Sequence, residues 1–196
     1  MANTNAPFGA RGLRNRSGAP YGGQQNLYYY TGSNTLYIGD PVILTGTANT
    51  TPYYGYAAGT LPTVDITTAG DGYYLTGFIS SFFPEDFSSK TYGVASAARG
   101  IYVADDPELT FEIQDDGLVT STAAFVGSNG NLVAGSGGNA YTNLSSWMLS
   151  STTATTATSQ LKILRLSTRP NNALGQYAVW EVMINRHTQV VGVAGI

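Results

Sequence analysis

The chain has 196 residues, of which only 11% are charged, and it contains 24 glycines, 14 tyrosines, one histidine and no cysteine. This charge deficit excludes a coiled coil or a charged helical bundle, while 42% hydrophobic residues at a net charge of −3 exclude the common disordered class. The lack of cysteine excludes disulfide frameworks, zinc–thiolate sites and thiol nucleophiles.

Residues 1–25 mix glycine, proline, asparagine and arginine without the period of a helix or a strand. They predict an extended N-terminal arm, which is either a solvated tail or a segment that becomes ordered on a partner protein. We expect no direct nucleic acid partner, because the acidic remainder of the chain would repel a polyanion. The candidate partner contacts on this arm are Phe8, Arg11, Leu13, Arg14, Arg16 and Tyr21.

Residues 26–196 predict a β-rich domain, because short alternating segments are separated by turns containing Gly, Asn, Asp or Pro. In Gln160–Ser167 the alternation slips between Ile163 and Leu164, which predicts either a β-bulge or a strand buried on both faces. Short helical turns are expected only within Pro84–Phe87 and Asn143–Leu149. The predicted strands are Asn26–Tyr30, Thr35–Ile38, Val42–Thr45, Tyr73–Ser80, Gly100–Ala104, Leu109–Gln114, Gln160–Ser167 and Ala178–Ile184.

The sequence therefore predicts an all-β fold, a single β-sandwich or barrel-like domain with long Gly/Ser/Thr-rich loops. Within it, Tyr53, Tyr54 and Tyr56 lie in a loop rich in Pro and Gly, in a region without any lysine or arginine. Tyrosine offers a large amphipathic contact area, so these residues are candidates for an interface. The alternative is that they are ordinary residues of a solvent-facing sheet.

Six carboxylates lie between Asp105 and Asp116 and are the best candidates for chemistry. Paired carboxylates could serve glycoside hydrolysis or bind Ca²⁺. However, Glu112 is expected on the solvated face of a strand, with the Asp pairs in the flanking turns. The lone His187 lies at the end of the last strand, without a G-x-S-x-G motif to present a serine. We expect no enzyme, no catalytic residue and no cofactor, and we leave a calcium site at 105–116 open.

Several segments in the same order along the chain resemble the capsid decoration proteins, also called cement or head-stabilising proteins, of tailed bacteriophages. The segment Tyr102–Asp116 carries the resemblance most strongly. It is accompanied by Asn5–Arg14, Ser17–Gly18 with the tyrosine-rich strand that follows, Tyr37–Val42, Leu161–Pro170 and Trp180–His187.

This resemblance implies a non-enzymatic virion protein, made in the host cytoplasm and bound to the outer surface of the capsid as a homotrimer. Its partner would be the major capsid protein, whose neighbouring subunits it would bridge. No membrane partner is expected, because no segment reaches the ~18 consecutive apolar residues of a membrane span. The alternative function is a tail-associated or receptor- and carbohydrate-binding virion module that uses the tyrosine-rich loops.

Overall fold

A computed structural model describes residues 3–190 and residue 193, and its regular elements are almost entirely β-strands. The predicted all-β, sandwich- or barrel-like fold is confirmed. The described part of the chain contains one short 3₁₀-helix at Ala123–Phe125. The strands are β1 (Ala10–Asn15), β2 (Asn26–Tyr30), β3 (Pro41–Ala48), β4 (Pro62–Ile66), β5 (Gly77–Phe82), β6 (Arg99–Ala104), β7 (Leu109–Gln114), β8 (Asn129–Gly130), β9 (Leu132–Val133), β10 (Met148–Leu149), β11 (Leu161–Leu166) and β12 (Val179–Ile184).

Five strands close into a small barrel in the order β2-β4-β3-β5-β6. Its neighbouring strands are antiparallel except for β2 and β4, which pair in parallel. Because side chains alternate along a strand, one face of each strand points into the barrel and fills it. The residues of this interior are Tyr28, Tyr30, Leu36, Val42, Val64, Ile79, Ile101 and Val103.

A second sheet has the strand order β1-β7-β12-β11-β8, with every neighbouring pair antiparallel. Its inner face carries a hydrophobic cluster that also includes Leu75, Phe78 and Ala104 from the barrel side. The rings of Phe78 and Phe111 have centroids 4.8 Å apart and join β5 to β7. The barrel and the five-stranded sheet therefore share one core, and only the sheet's opposite face, its outer face, is left for polar side chains.

Most predicted strands are found within a few residues of their expected bounds. Thr35–Ile38 forms only isolated bridges, and the predicted helical turns are wrong, because 84–87 is irregular and β10 occupies Met148–Leu149. The sequence interpretation missed β1 and β4, whose residues alternate poorly, and the two-residue strands β8 and β9.

The structure corrects the prediction that residues 1–25 form an arm separate from the domain. Residues 10–15 are β1, which pairs with β7 as a strand of the five-stranded sheet. Residues 3–8 are also held to the body of the protein. The Gln114 side chain donates to the Thr4 carbonyl over 2.8 Å and accepts from the Ala6 amide over 2.9 Å. The glycine-, proline- and arginine-rich composition hid β1, because its partner strand lies about 100 residues away along the chain.

Asp40, which precedes β3, is a buried carboxylate whose ionisation opposes folding. Only 2% of its surface is exposed, and burial raises its pKa to about 6, although hydrogen bonds from Ser145 and from the Tyr37 amide act in the opposite direction. Since the folded state binds this proton more tightly than the unfolded chain, the stability contributed by the protonated form is complete below about pH 4 and lost as the pH rises to about 6.

We expect Asp40→Asn to flatten the dependence of the unfolding free energy on pH between about 4 and 6. The rise in the pKa of Asp40 corresponds to a change of roughly 3 kcal/mol in the free energy of unfolding across that pH range. Urea melts at several pH values measure the effect, with Glu108→Gln as a control that removes an exposed carboxylate. An unchanged slope in the Asp40 variant would show that Asp40 is not the titrating group.

Candidate protein-binding face

The outer face of the five-stranded sheet carries a row of four charged residues, one from each of four adjacent strands. Arg11 on β1 lies opposite Glu112 on β7, Glu112 lies opposite Glu181 on β12, and Glu181 lies opposite Arg165 on β11. Two like charges opposite each other destabilise a sheet, so this row requires cations beside both glutamates. We use the term arginine face for Phe8, Arg11, Arg14, Glu112, Arg165, Arg169 and Glu181.

Two β-bulges bring arginines onto this face. In β1 the register shifts between Gly12 and Arg14, so that Arg14 shares the side of the sheet occupied by Arg11. In β11 the register shifts between Ile163 and Arg165, which confirms the predicted bulge and places Arg165 opposite Glu181. An unbroken two-residue period from Arg11 or from Ile163 would have turned Arg14 toward the core and placed Arg165 on the inner face.

Each glutamate accepts hydrogen bonds from two arginines. Glu181 accepts from Arg14 Nε over 2.9 Å and Nη2 over 2.5 Å, and from Arg165 Nε over 2.7 Å. Glu112 accepts from Arg169 Nε over 3.1 Å and Nη2 over 2.9 Å, and from Arg11 Nη2 over 3.2 Å. Charge-assisted bonds of this kind are about twice as strong as neutral ones and align the guanidinium planes. The two carboxylates therefore hold four guanidiniums in defined positions.

The electrostatics of Glu181 follow from these contacts. Burial raises the pKa of its carboxyl, but hydrogen bonds from Arg14 and Arg165 outweigh burial, and the net pKa lies below the ordinary value. The ionised form therefore stabilises the folded state above the pKa of the unfolded chain, and this contribution is lost as the pH falls through the lower folded pKa. The arginine face is thus a feature of neutral pH that acid weakens.

Phe8 makes cation–π contacts with two arginines of this face. The guanidinium carbons of Arg11 and Arg169 lie 4.9 Å and 4.8 Å from the centre of its ring. A cation over an aromatic ring is stabilised by the ring's quadrupole, and the ring also limits how far either guanidinium can move. Among the predicted contacts, the structure brings Phe8, Arg11 and Arg14 together.

The other three predicted contacts of the N-terminal segment lie elsewhere. Leu13 is the extra residue of the β1 bulge and is half-buried. Arg16 is exposed and lies 3.8 Å from the equally exposed Glu108. The ring of Tyr21 packs over Gly12 against the hydrophobic core, and its hydroxyl is buried. Tyr21 is partly buried against this core and supports the fold, and its role as a partner contact stays a prediction.

The three predicted tyrosines of the interface loop divide into one buried and two exposed residues. Tyr53 is buried, and its hydroxyl accepts from the Gly100 amide over 2.7 Å and donates to Glu85. Tyr54 and Tyr56 are 58% and 39% exposed. The prediction of Tyr53 as an interface residue is corrected, because its ring is enclosed by its neighbours.

Tyr54 and Gly55 form the centre of a tight turn, with φ angles of 39° and 91° and reciprocal backbone bonds between Tyr53 and Tyr56. A positive φ is unfavourable for a residue with a side chain, so the turn holds Tyr54 outward at an energetic cost. The ring of Phe83 lies near the rings of Tyr54 and Tyr56, and its centre is 5.8 Å from that of Tyr54. We call Tyr54, Tyr56 and Phe83 the aromatic patch.

The acidic segment 105–116 is not the solvated strand that the sequence predicts. Glu112 is buried among arginines, Asp105 accepts from Asn26 and Tyr28, and Asp115 accepts from the Trp180 indole over 3.1 Å. Asp116 accepts from the Ser151 amide and hydroxyl. These carboxylates are buried because hydrogen-bond donors from distant segments surround them. The described residues contain no group of three or more His, Cys, Asp or Glu able to hold a metal ion.

His187 is buried, and its Nδ1 accepts from the Gln189 amide over 3.0 Å. Burial lowers its pKa, although Asp105 and Asp106 act in the opposite direction. It forms an isolated β-bridge with Leu75, two residues before β5 begins.

Sequence reasoning missed three members of the arginine face: Arg165, Arg169 and Glu181. The only available signal was that cations return after residue 160 beside a single acid. The pairing of β12 with β7 supplies the missing information, because it places Glu181 beside Glu112.

No family model matches the chain, and no curated protein and no solved structure matches it. In the part of the chain that the structure describes, no helix is long and apolar enough to cross a membrane.

Proposed function

We propose that the protein is a bacteriophage capsid decoration protein, which binds the outer surface of the head and stabilises contacts between major capsid protein subunits. The observation that carries the proposal is the arginine face, a sheet surface with excess positive groups on an acidic protein. The resemblance of segments along the chain to capsid decoration proteins supports the same class.

The physical properties of the face suit adhesion to another protein. The arginines are already oriented by Glu112 and Glu181, so little side-chain entropy is lost on binding. The proposed homotrimer would present three such faces to a lattice, and linked sites raise the effective concentration without stronger individual contacts. In this proposal the protein is not an enzyme, uses no cofactor, and contacts neither membrane nor nucleic acid.

The test uses expanded capsids of the parent phage that lack this protein. We expect added protein to co-sediment with the shells and to raise the temperature at which they open, measured by calorimetry and by release of packaged DNA. Shells incubated with heat-unfolded protein serve as the control. If native protein binds no shell, or if decorated shells open at the same temperature as bare ones, the proposed function is wrong.

A second candidate function is favoured by the aromatic patch of Tyr54, Tyr56 and Phe83. The exposed rings of Tyr54 and Tyr56 belong to a strained turn and pack against the half-buried Phe83. Such rings suit stacking on the apolar faces of sugars, as in a tail-associated receptor- or carbohydrate-binding module. Copy number separates the two functions. Hundreds of copies per virion support decoration, whereas a few to a few dozen support the tail module.

A further inference from the structure

We propose that the arginine face binds clustered carboxylate side chains of a partner protein, and that Glu112 and Glu181 are positioning residues that aim its guanidiniums outward. The identity of the partner as capsid protein rests on the proposed function, whereas the recognition of carboxylates rests on the geometry of the face.

All four arginines use the same edge of the guanidinium on their glutamate. Arg11, Arg14, Arg165 and Arg169 each donate through Nε and Nη2. Among the described residues, none of the four Nη1 atoms donates a hydrogen bond. A guanidinium has five N–H donors in a planar fork, so the edge formed by Nη1 and Nη2 remains free to bind a second carboxylate with two bonds.

The exposed surface of the face is more positive than its composition suggests. The side chains of Glu112 and Glu181 are only 8% and 2% exposed. Those of Arg11 and Arg165 are 58% and 54% exposed. Four guanidiniums over two carboxylates leave two excess positive charges. A partner therefore meets the cations and not the anions that hold them.

The geometry favours an acidic protein surface over nucleic acid. Nucleic acid binding depends on neutralising many regularly spaced phosphates, which requires a long basic surface. Here the excess is small, and the chain as a whole carries a net charge of −3, which repels a polyanion. A compact group of carboxylates on a folded protein matches both the small excess and the planar donor edges.

The discriminating experiment replaces a positioning glutamate and measures binding to a short polyglutamate peptide and to capsids lacking the protein. Glu112→Gln and Glu181→Gln each remove one negative charge and so raise the net charge of the face by one. Simple attraction therefore predicts tighter binding. If the glutamates position the arginines, binding should instead become about tenfold weaker, because a guanidinium released from its carboxylate loses its orientation.

Arg165→Lys keeps the charge and removes the planar fork, and we expect a similar loss, about tenfold. This variant serves as a second test if a glutamate variant fails to fold, which near-UV circular dichroism reports. Arg16→Gln removes one cation outside the face and is expected to change the affinity by less than about twofold. Peptide binding by wild-type protein that weakens in these variants supports the inference.

The inference is overturned if the folded glutamate variants bind the peptide as tightly as wild type or more tightly, or if duplex DNA binds better than the peptide at equal salt. The proposed function fails separately, if the wild-type protein binds the peptide but not the capsids. If the wild-type protein binds capsids and none of these variants changes that binding, the proposed function stands, but the arginine face is not the surface that contacts the capsid.

Discussion

Replacing Trp180 with alanine is expected to lower the free energy of unfolding by about 3–5 kcal/mol, the range for removing a buried aromatic side chain. Trp180 is fully buried on β12, and its ring stacks on Phe125 with 5.5 Å between centroids. It also supplies the indole N–H bond to the carboxylate of Asp115, which is itself fully buried. Denaturant melts measure the loss.

Conservative variants separate packing from hydrogen bonding at this position. Trp180→Phe keeps much of the apolar contact but leaves Asp115 without its indole donor, which costs about 1–3 kcal/mol beyond the packing loss. Trp147→Phe is the matched control, because Trp147 is buried in the same cluster and its indole makes no hydrogen bond to the described residues. Equal destabilisation by the two phenylalanine variants would contradict a role for the Asp115 bond.

Deleting residues 1–15 is expected to abolish cooperative folding. The deletion removes β1, exposes the edge of β7 along its length, and leaves Glu112 and Glu181 each with one arginine fewer. Because Arg169 and Arg165 still pair with the two glutamates, the main cost is the loss of a whole strand, with its backbone pairing to β7 and the burial of Ala10 in the shared core. A domain is stable by only about 5–15 kcal/mol, and we expect the loss of a strand to exceed that margin.

The matched control is deletion of residues 1–8, which keeps β1 and its pairing with β7 but removes the segment bound by Gln114 and the ring of Phe8. We expect this shorter variant to remain folded with a modestly lower melting temperature. Circular dichroism and thermal melts of both variants provide the measurement. A cooperative, native-like melt after removal of residues 1–15 would show that the N-terminal segment is the dispensable arm that its composition predicts.

Several strands could be predicted from the sequence because their patterns are local. β2 and β7 match their predicted bounds, and β12 lies within one residue of its own. The β11 bulge was also predictable, because the slip at Ile163 and Leu164 is visible in the alternation itself. β1 could not be predicted, since glycine and arginine form a strand there only through pairing with β7.

The candidate site was predictable only in part. Arg11 and Arg14 were identified from the clustering of cations near the N-terminus and Phe8 as an apolar anchor of the same segment, but the glutamates that bind the two arginines were not. Glu112 was expected in solvent because a polar residue that alternates with apolar ones points away from the core. In the structure, the long side chains of Arg11 on β1 and of Arg169, which follows β11, cover it.

The sequence by itself determined that this protein is all-β, lacks the residues for thiol chemistry, and carries its few charges in separate blocks. Those properties depend on composition and on the two-residue period of a strand, which operate over a few positions. Only the tertiary structure decided that a basic N-terminal block, an acidic middle and a basic C-terminal block meet on one sheet face. Strand order and register bring Arg11, Glu112, Glu181 and Arg165 into one row, and they depend on the shared core between the barrel and the sheet.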